Sequence, residues 1–364
     1  MRRRVLITRA GSGASNNLIR SLRAGSPSSL IVGCHDDPFV LKQSPANPNY
    51  LIPSHAYPEF LNALRHVIHK ERIDLLIPTT DSDVKVLAEH RNRIPCRLFL
   101  PRSETIELCQ DKYALGELLR SRGVPAPATF LVTDLASIDD LFARLAPRSP
   151  LWCRIRSGSG SMGAIPVKSP EQVRAWIKYW EEMRGTPPSS FTVSEYLPGR
   201  DFACQSLWKN GLLILIKTTE RLSYFGGGSG PSGVSSIGAL HKTVRDSRVM
   251  AVSTNAVRAL DKTASGAFSV DLKEDSDGQP CVTEINVGRF LTGTSIFDLT
   301  GRYNMAATYV HLALGDRVKI EDAYDVAEDH YMVRDLDTAP GLFHAEELYD
   351  GLVDVRSRRG RKQQ

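Results

Sequence analysis

Three polar side chains that bind hard cations lie on two neighbouring strand-like segments late in the chain. Asp271 lies in FSVDLK, and Glu284 and Asn286 lie in TEIN, with the turn sequence DSDGQP between the segments. Antiparallel pairing through this turn would bring Asp271 and Glu284 together. Oxygen ligands of this kind bind Mg²⁺ (or Mn²⁺) while substrate phosphates complete the coordination. Because a buried carboxylate pair is costly without a cation, the pattern favours a metal site over a surface hairpin.

A glycine-rich segment, RIRSGSGSMG, lies between the apolar runs LWC and AIPV and predicts a hairpin loop. Gly158, Gly160 and Gly163 let backbone N–H groups approach an anion, and Ser161 adds a hydroxyl donor. Arg154, at the end of the preceding strand, offers a guanidinium fork to phosphate oxygens. The segment therefore indicates a phosphate-binding flap, with a flexible linker of the same composition as the alternative.

The segment SEYLPGRD predicts a strand that ends at a Pro-Gly turn between two parts of the chain. Backbone groups of Tyr196 and Leu197 are suited to an adenine edge. The carboxylates of Glu195 and Asp201 are suited to the exocyclic amine or the ribose hydroxyls. An edge strand with solvated carboxylates is the alternative interpretation.

Two arginines and several loops are candidates for the remaining contacts. Arg289, shortly after TEIN, is placed to neutralise transferred phosphate, and Arg221 is a candidate for a substrate carboxylate or a surface side chain. Substrate candidates also include Ser12, the run Thr79 to Asp81, and the glycine-rich residues 226–233. The run from Thr79 equally fits a helix cap.

The first third of the chain alternates β-branched runs with helical patterns, which predicts an open parallel sheet covered by helices. VLIT, LIVGC and DLLIP are its predicted strands, and polar residues at their carboxyl ends would point to one crevice. The turn GSGASN resembles a dinucleotide fingerprint, but Asn16 stands in place of the third glycine. A nicotinamide-dependent oxidoreductase would depend on this turn, and no catalytic constellation accompanies it.

Length and composition indicate a folded cytoplasmic protein. The chain has 364 residues, 41% hydrophobic and 24% charged, which predicts two or three globular domains. The net charge of +5 lies partly in terminal arginine clusters, typical of solvated tails, so no nucleic-acid partner is expected. Six cysteines without a C-x-x-C pair fit a reducing compartment. We find no signal-peptide core and no apolar run of membrane-spanning length, so no membrane contact is expected.

Taken in order, these motifs resemble the ATP-grasp superfamily, in particular the branch of the carbamoyl-phosphate synthase large subunit and the carboxylate-amine ligases. The resemblance covers roughly residues 5–320 and adds Lys112, in QDKYALGELLRSRGVPAP, as a basic residue for ATP. Ile155 stands where the family pattern has proline, and Asp201 stands where it has glutamate. After Asn286 the family pattern continues with proline and arginine. Here Gly288 occupies the arginine position, so that Arg289 is displaced by one residue. The other matching positions are Arg154, Gly158, Gly160, Ser161, Gly163, Glu195, Tyr196, Leu197, Asp271, Glu284 and Asn286.

The resemblance implies an α/β protein with a Rossmann-like domain at residues 1–105 followed by an ATP-grasp fold. The implied small subdomain spans residues 106–200, the large subdomain 201–320, and a C-terminal extension with a basic tail 321–364. It also implies ATP and Mg²⁺, an acylphosphate formed from a small-molecule or amino-acid carboxylate, an amine acceptor, and a possible homodimer. A bicarbonate-phosphorylating enzyme and a catalytically silent ATP-binding protein remain alternatives.

Overall fold

The computed structural model describes residues 3–145, 150–158, 160–226, 232–336 and 339–350. Within these ranges the chain forms three β-sheets, one parallel and two antiparallel, covered by helices. The predicted α/β fold class is confirmed. No helix in the described ranges is long and apolar enough to cross a membrane.

The first sheet is parallel, as the alternating pattern predicted, with strand order β3-β2-β1-β4. Val5, Leu6 and Ile7 are fully buried because helices cover both faces. The elements are β1 (Arg4–Thr8), α1 (Gly13–Gly25), β2 (Leu30–His35), α2 (Pro38–Leu41), β3 (Asn49–Leu51), α3 (Phe60–Glu71), β4 (Leu75–Ile77) and α4 (Asp81–Glu89).

The space beside the glycine turn before α1 is occupied by nearby residues of the same parallel-sheet region. Gly11 has φ +99°, and a Cβ there would lie 1.9 Å from the Val40 carbonyl oxygen. Ser12 caps the helix by accepting a hydrogen bond from the Ser15 N–H at 3.3 Å. The Asn16 side chain donates to the Gly11 carbonyl at 3.2 Å. The glycine therefore serves close packing against α2, and the turn gives no support to a dinucleotide site.

The second sheet is antiparallel, with order β5-β8-β6-β7. Its core includes Cys153, Phe191 and Val193, packed against apolar residues of two helices. The pairing of Cys153 with Ile165 makes the glycine-rich segment a hairpin loop, as predicted. The elements are α5 (Ser103–Gln110), α6 (Lys112–Ser121), β5 (Thr129–Leu131), α7 (Ile138–Leu145), β6 (Leu151–Ile155), β7 (Ile165–Val167), α8 (Pro170–Arg184) and β8 (Phe191–Glu195).

The third sheet has seven strands in the order β13-β12-β9-β10-β11-β14-β15, all antiparallel. Its elements are β9 (Asp201–Lys209), β10 (Leu212–Tyr224), β11 (Gly238–Thr243), α9 (Ser247–Leu260), β12 (Gly266–Glu274), β13 (Pro280–Val287), α10 (Thr292–Phe297), α11 (Met305–Ala313), β14 (His330–Val333) and β15 (Gly341–His344).

The part of the chain expected to be a C-terminal extension contributes to this sheet. Its strands β14 and β15 continue the sheet beyond β11. Each strand has only four residues, too short for a clear alternating pattern, so sequence reading gave no strand here. The basic tail beyond residue 350 lies outside the described residues, and the domain boundaries themselves stay predictions.

Helix α11 joins the first sheet to the third. One apolar cluster includes Val5 and Ile7 of β1 together with Leu207 of β9 and Tyr309 of α11. The Tyr309 hydroxyl also donates to the Phe99 carbonyl at 2.6 Å. This packing holds one face of the first sheet against α11, which also packs on β9 and β12 of the third sheet.

Candidate active site

A cavity of about 560 Å³ lies between the second and third sheets. The glycine hairpin lies on one side, and the acidic strands β12 and β13 lie on the other. The residues predicted from sequence that line it are Lys112, Arg154, Gly158, Gly160, Ser161, Tyr196, Leu197, Asp201, Arg221, Gly233, Asp271 and Glu284. Gly233 belongs to the predicted substrate segment 226–233, of which residues 227–231 lie outside the described residues. Folding thus brings together three motifs that are spread over more than a hundred residues of the chain.

The two predicted acids face each other on adjacent strands, with Asp271 of β12 directly opposite Glu284 of β13. Asp271 accepts hydrogen bonds from Arg221 Nη2 at 2.5 Å and from Asn286 Nδ2 at 3.2 Å. Burial raises the pKa of Asp271, and the neighbouring Arg221 opposes that shift. Local hairpin pairing therefore produces the carboxylate pair that the sequence predicted.

This donor set fits Mg²⁺ only when phosphate oxygens complete it. The described residues contain no cluster of three or more His, Cys, Asp or Glu side chains suited to a metal. Two carboxylates that leave most positions to a phosphorylated substrate are the usual arrangement for Mg²⁺. The third predicted ligand, Asn286, has its amide oxygen engaged by Arg289 Nη2 at 2.6 Å. The metal assignment of these three residues stays a prediction.

Two cations flank Glu284. Lys112 Nζ lies 3.3 Å from Glu284 Oε2, and Arg154 Nη2 donates to the Thr283 carbonyl at 2.9 Å. Arg154 Nε is shielded from solvent and has no hydrogen-bond partner among the described residues. Burial lowers the pKa of Arg154, and the Glu284 carboxylate opposes that shift. A donor left unmatched beside a cavity is suited to an anionic ligand.

The glycine hairpin has the backbone that its composition predicted. Gly158, Gly160, Ser161 and Gly163 all have positive φ, from 57° to 136°. Gly163 does not line the cavity: a Cβ there would lie 2.7 Å from a carbon of Ile155. Gly163 was predicted to bind the cofactor. In the structure its position instead serves packing at the base of the hairpin. Ser159 lies outside the described residues.

The segment SEYLPGRD, residues 194–201, contributes some residues to the cavity and others to the surrounding scaffold. Tyr196 and Leu197 line the cavity, whereas Glu195 does not, and its carboxylate accepts from the Ala128 N–H at 2.9 Å. Asp201 lines the cavity with its carboxylate engaged by Arg221 Nη1 at 3.0 Å. Glu195 therefore stabilises the pairing of β8 with β5 instead of facing the cavity.

Sequence reading missed Lys273, which also lines this cavity. Its Nζ lies 5.5 Å from the centre of the Tyr196 ring, and Trp152 packs on the same ring at 6.1 Å between centroids. Lys273 follows Asp271 by two residues on β12, so strand alternation places both on one face. The alternation along β12 was the sequence signal that could have identified Lys273 as a cavity residue.

A second cavity, of about 210 Å³, adjoins the first and shares Arg221, Asp271 and Glu284 with it. Asn286 and Arg289 line this second cavity but not the first. Arg289 is held by Asp81, whose carboxylate accepts from Nε at 2.5 Å and from Nη2 at 3.1 Å.

The loop after β4 therefore reaches the site, as its position at the carboxyl edge of the first sheet predicted. Its residues serve mainly structural contacts. Thr80 caps α4 by accepting from the Asp83 N–H at 3.2 Å, and Thr79 donates to the Thr8 carbonyl at 2.9 Å. The capping interpretation thus holds for Thr80, while Asp81 positions an arginine of the third sheet.

Comparison with solved structures identifies the fold. No protein-family model and no curated protein sequence matches the chain. An L-amino acid ligase from Bacillus licheniformis has a TM-score of 0.68 at 14% identity, covering 91% of this chain and 78% of that one. A biotin carboxylase from Campylobacter jejuni, in complex with β-γ-ATP, has a TM-score of 0.69 at 12% identity, covering 91% and 74%. The chain has the ATP-grasp fold.

A third structure of the same fold is carboxyaminoimidazole ribonucleotide synthase from Aspergillus clavatus, complexed with ATP. It has a TM-score of 0.66 at 14% identity and covers 91% of this chain and 81% of that one. The ATP-grasp resemblance drawn from the motifs is confirmed at the level of the fold. The cavity described above lies between the two antiparallel sheets of this ATP-grasp fold.

The second cavity of the ATP-grasp fold contains two residues that sequence reading missed, His241 and Arg334. His241 is 5% exposed, and neither ring nitrogen has a hydrogen-bond partner among the described residues. Burial, together with the positive charges of Arg221 and Arg334, lowers the pKa of His241 to about 3. No sequence signal marked these residues, because their convergence depends on how β10, β11 and β14 align.

The lowered pKa of His241 predicts a stability loss in acid. The unfolded histidine takes up a proton near its ordinary pKa of 6.5, whereas the folded one stays neutral to about 3. Stability is therefore full above pH 6.5 and falls below it by up to about 1.4 kcal/mol per pH unit. Between pH 7.5 and 5.0, urea unfolding should show the native protein losing about 2 kcal/mol more than His241→Asn. Equal losses in the two proteins would contradict this assignment.

Proposed function

We propose that the protein is an ATP-dependent ligase that activates a carboxylate as an acylphosphate and joins it to an amine. The observation that carries this proposal is the first cavity, where Lys112 and Arg154 lie beside the acid pair Asp271 and Glu284. Phosphoryl transfer needs mainly positioning and charge neutralisation from a protein. This cavity supplies donors for phosphate oxygens and acids for a divalent cation within one space.

The lining of the first cavity supports a nucleotide in a defined direction. Trp152 and Tyr196 provide an aromatic, apolar end for a base, and the backbone at Leu197 lies beside them. Arg154, two residues further along β6, and the hairpin around Gly160 line the same cavity. The triphosphate therefore lies beneath the hairpin. When bound by Asp271 and Glu284, Mg²⁺ would supply neutralisation of the phosphate oxygens.

The reaction proceeds in two substitutions. An oxygen of the substrate carboxylate attacks the γ-phosphorus, the bond to the bridging oxygen breaks, and ADP leaves. The amine nitrogen then attacks the carbonyl carbon of the acylphosphate, inorganic phosphate leaves, and the nitrogen gives up a proton. Arg154 and Lys112 stabilise the negative charge on the transferred group. The hairpin over the cavity limits hydrolysis of the acylphosphate by excluding water.

The proteins of similar structure support an ATP-consuming ligase and also keep the bicarbonate alternative open. Two of them are described as an L-amino acid ligase and a carboxyaminoimidazole ribonucleotide synthase. Another is a 2-oxoglutarate carboxylase biotin carboxylase domain, a dimer with MgADP and bicarbonate. That dimer supports our expectation of a homodimer here, and the bicarbonate supports a carboxylase as the second candidate.

The test is release of ADP by the purified protein with Mg²⁺ and ATP, against small carboxylic acids and amines supplied in pairs. We expect ADP release that needs one acid and rises further with one amine. Bicarbonate dependence without an organic acid would favour the carboxylase. Nucleotide binding by calorimetry without ADP release under any pairing would favour the silent ATP-binding protein and contradict the proposal.

A further inference from the structure

The second cavity contains a guanidinium whose charge no carboxylate balances. Arg221 is balanced by Asp201 and Asp271, and Arg289 by Asp81. Arg334 instead donates from Nε and Nη2 to one backbone carbonyl, that of Gly238. Across the described ranges, no acidic side chain lies within ion-pair distance of Arg334. A half-buried cation with only a carbonyl partner is suited to an anion from outside the chain.

Beside Arg334 lies a histidine with unmatched hydrogen-bonding groups. The imidazole of His241 is packed between two glycines: a Cβ at Gly238 would lie 1.8 Å from Nε2, and one at Gly293 would lie 3.2 Å from Nδ1. Both nitrogens lack partners among the described residues. Leaving a buried donor and acceptor unmatched costs about 1–3 kcal/mol. Because each nitrogen faces a glycine and is shielded from solvent, the ring lines the cavity without offering it a hydrogen-bonding atom.

The strand register separates these two residues from the acid pair. His241 lies opposite Arg221 of β10 and Met332 of β14, and Arg334 follows Met332 by two residues, on the same face. Strand β11 is three strands away from β12, which carries Asp271. At the usual strand spacing this separates the backbones by about 14 Å. The second cavity therefore has an acidic end, where phosphoryl transfer takes place, and a separate cationic end.

We propose that Arg334 binds a substrate carboxylate that the reaction does not consume. This inference rests on the proposed function and narrows it, because it requires a dicarboxylic acid or an amino acid among the substrates. The Arg334 guanidinium supplies the charge and a planar pair of donors that match a carboxylate. The buried His241 ring forms the cavity wall beside Arg334, and exclusion of water there strengthens a hydrogen bond from the guanidinium. A neutral substrate group at the cationic end of the second cavity would leave the positive charge of Arg334 without a counter-ion.

The test compares paired ligands that differ only in the unconsumed carboxylate. Succinate and glutarate are compared with their monoamides, and L-alanine with L-alaninamide, by calorimetry with Mg²⁺ and a non-hydrolysable ATP analogue. The native protein is expected to bind at least one free acid 10- to 100-fold more tightly than its amide. In Arg334→Gln that preference should fall to less than about threefold while nucleotide affinity is unchanged. Which pair responds distinguishes a dicarboxylic acid from an amino acid.

The matched control is Arg302→Gln, which changes an exposed arginine whose guanidinium lies 3.5 Å from Glu321. It should retain the full preference for the free acid. Equal binding of acid and amide to the native protein, or a preference that survives in Arg334→Gln, would overturn the inference. Failure of the nucleotide analogue to bind would instead refute the proposed function.

Discussion

Replacing Glu284 by alanine is expected to abolish ADP formation. Glu284 faces Asp271 across two paired strands and lies 3.3 Å from Lys112, so its removal takes away one of two acids available to a divalent cation. It also leaves the Lys112 ammonium without its carboxylate. Loss of one such electrostatic group in a preorganised site costs about 10²–10³-fold in turnover. The measurement is the initial rate of ADP release at saturating ATP and Mg²⁺.

Two further variants separate charge from packing. Glu284→Gln keeps the size of the side chain and should lose the same activity, because only the anionic oxygen is removed. Glu182→Gln on α8 alters an exposed glutamate, 63% accessible, and should behave as the native protein. Thermal unfolding of all three verifies that the fold is intact. An unimpaired rate in Glu284→Ala would remove the metal assignment while leaving the fold unaffected.

Replacing Lys217 by methionine is expected to give the largest loss of stability. The Lys217 side chain is 6% exposed, and its Nζ lies 3.1 Å from the buried Asp298 and 3.3 Å from the partly buried Asp325. It also donates to the Tyr303 carbonyl at 2.7 Å. Removal of the cation leaves the buried Asp298 and the partly buried Asp325 unbalanced, at a cost of about 3–5 kcal/mol. Equilibrium unfolding in urea, followed by circular dichroism, measures the change.

The controls for this ion-pair network follow from its charge balance. Lys178→Met on α8, where the lysine is 66% exposed, should change stability by less than about 0.5 kcal/mol. Adding Asp298→Asn and Asp325→Asn to Lys217→Met should restore part of the loss, since no buried charge then remains unpaired. If Lys217→Met alone has the same urea midpoint of unfolding as the native protein, the lysine and the two carboxylates do not act as a balanced unit.

Local features of the site followed from the sequence. The approach of Asp271 to Glu284 was predictable because a short turn joins their two strands. The exact pairing was not, because a register shift between Asp271 and Leu272 places Glu284, instead of Thr283, opposite Asp271. The hairpin around Gly160 was predictable because its glycines and serine take positive φ between two apolar strands. Gly163 and Glu195 were correctly placed at these elements, but their contacts are with the scaffold. Motif position alone did not separate a side chain facing the cavity from one packed behind it.

The sequence by itself determined the parallel first sheet, the glycine hairpin and the acid pair, because each depends on periodicity or on residues close together along the chain. Only the tertiary structure decided that Asp81 positions Arg289 and that His241 and Arg334 share a cavity with Arg221. Those contacts depend on strand order and on how one sheet packs against another. Many apolar contacts between residues far apart in the sequence together fix that packing, so no short segment of sequence indicates it.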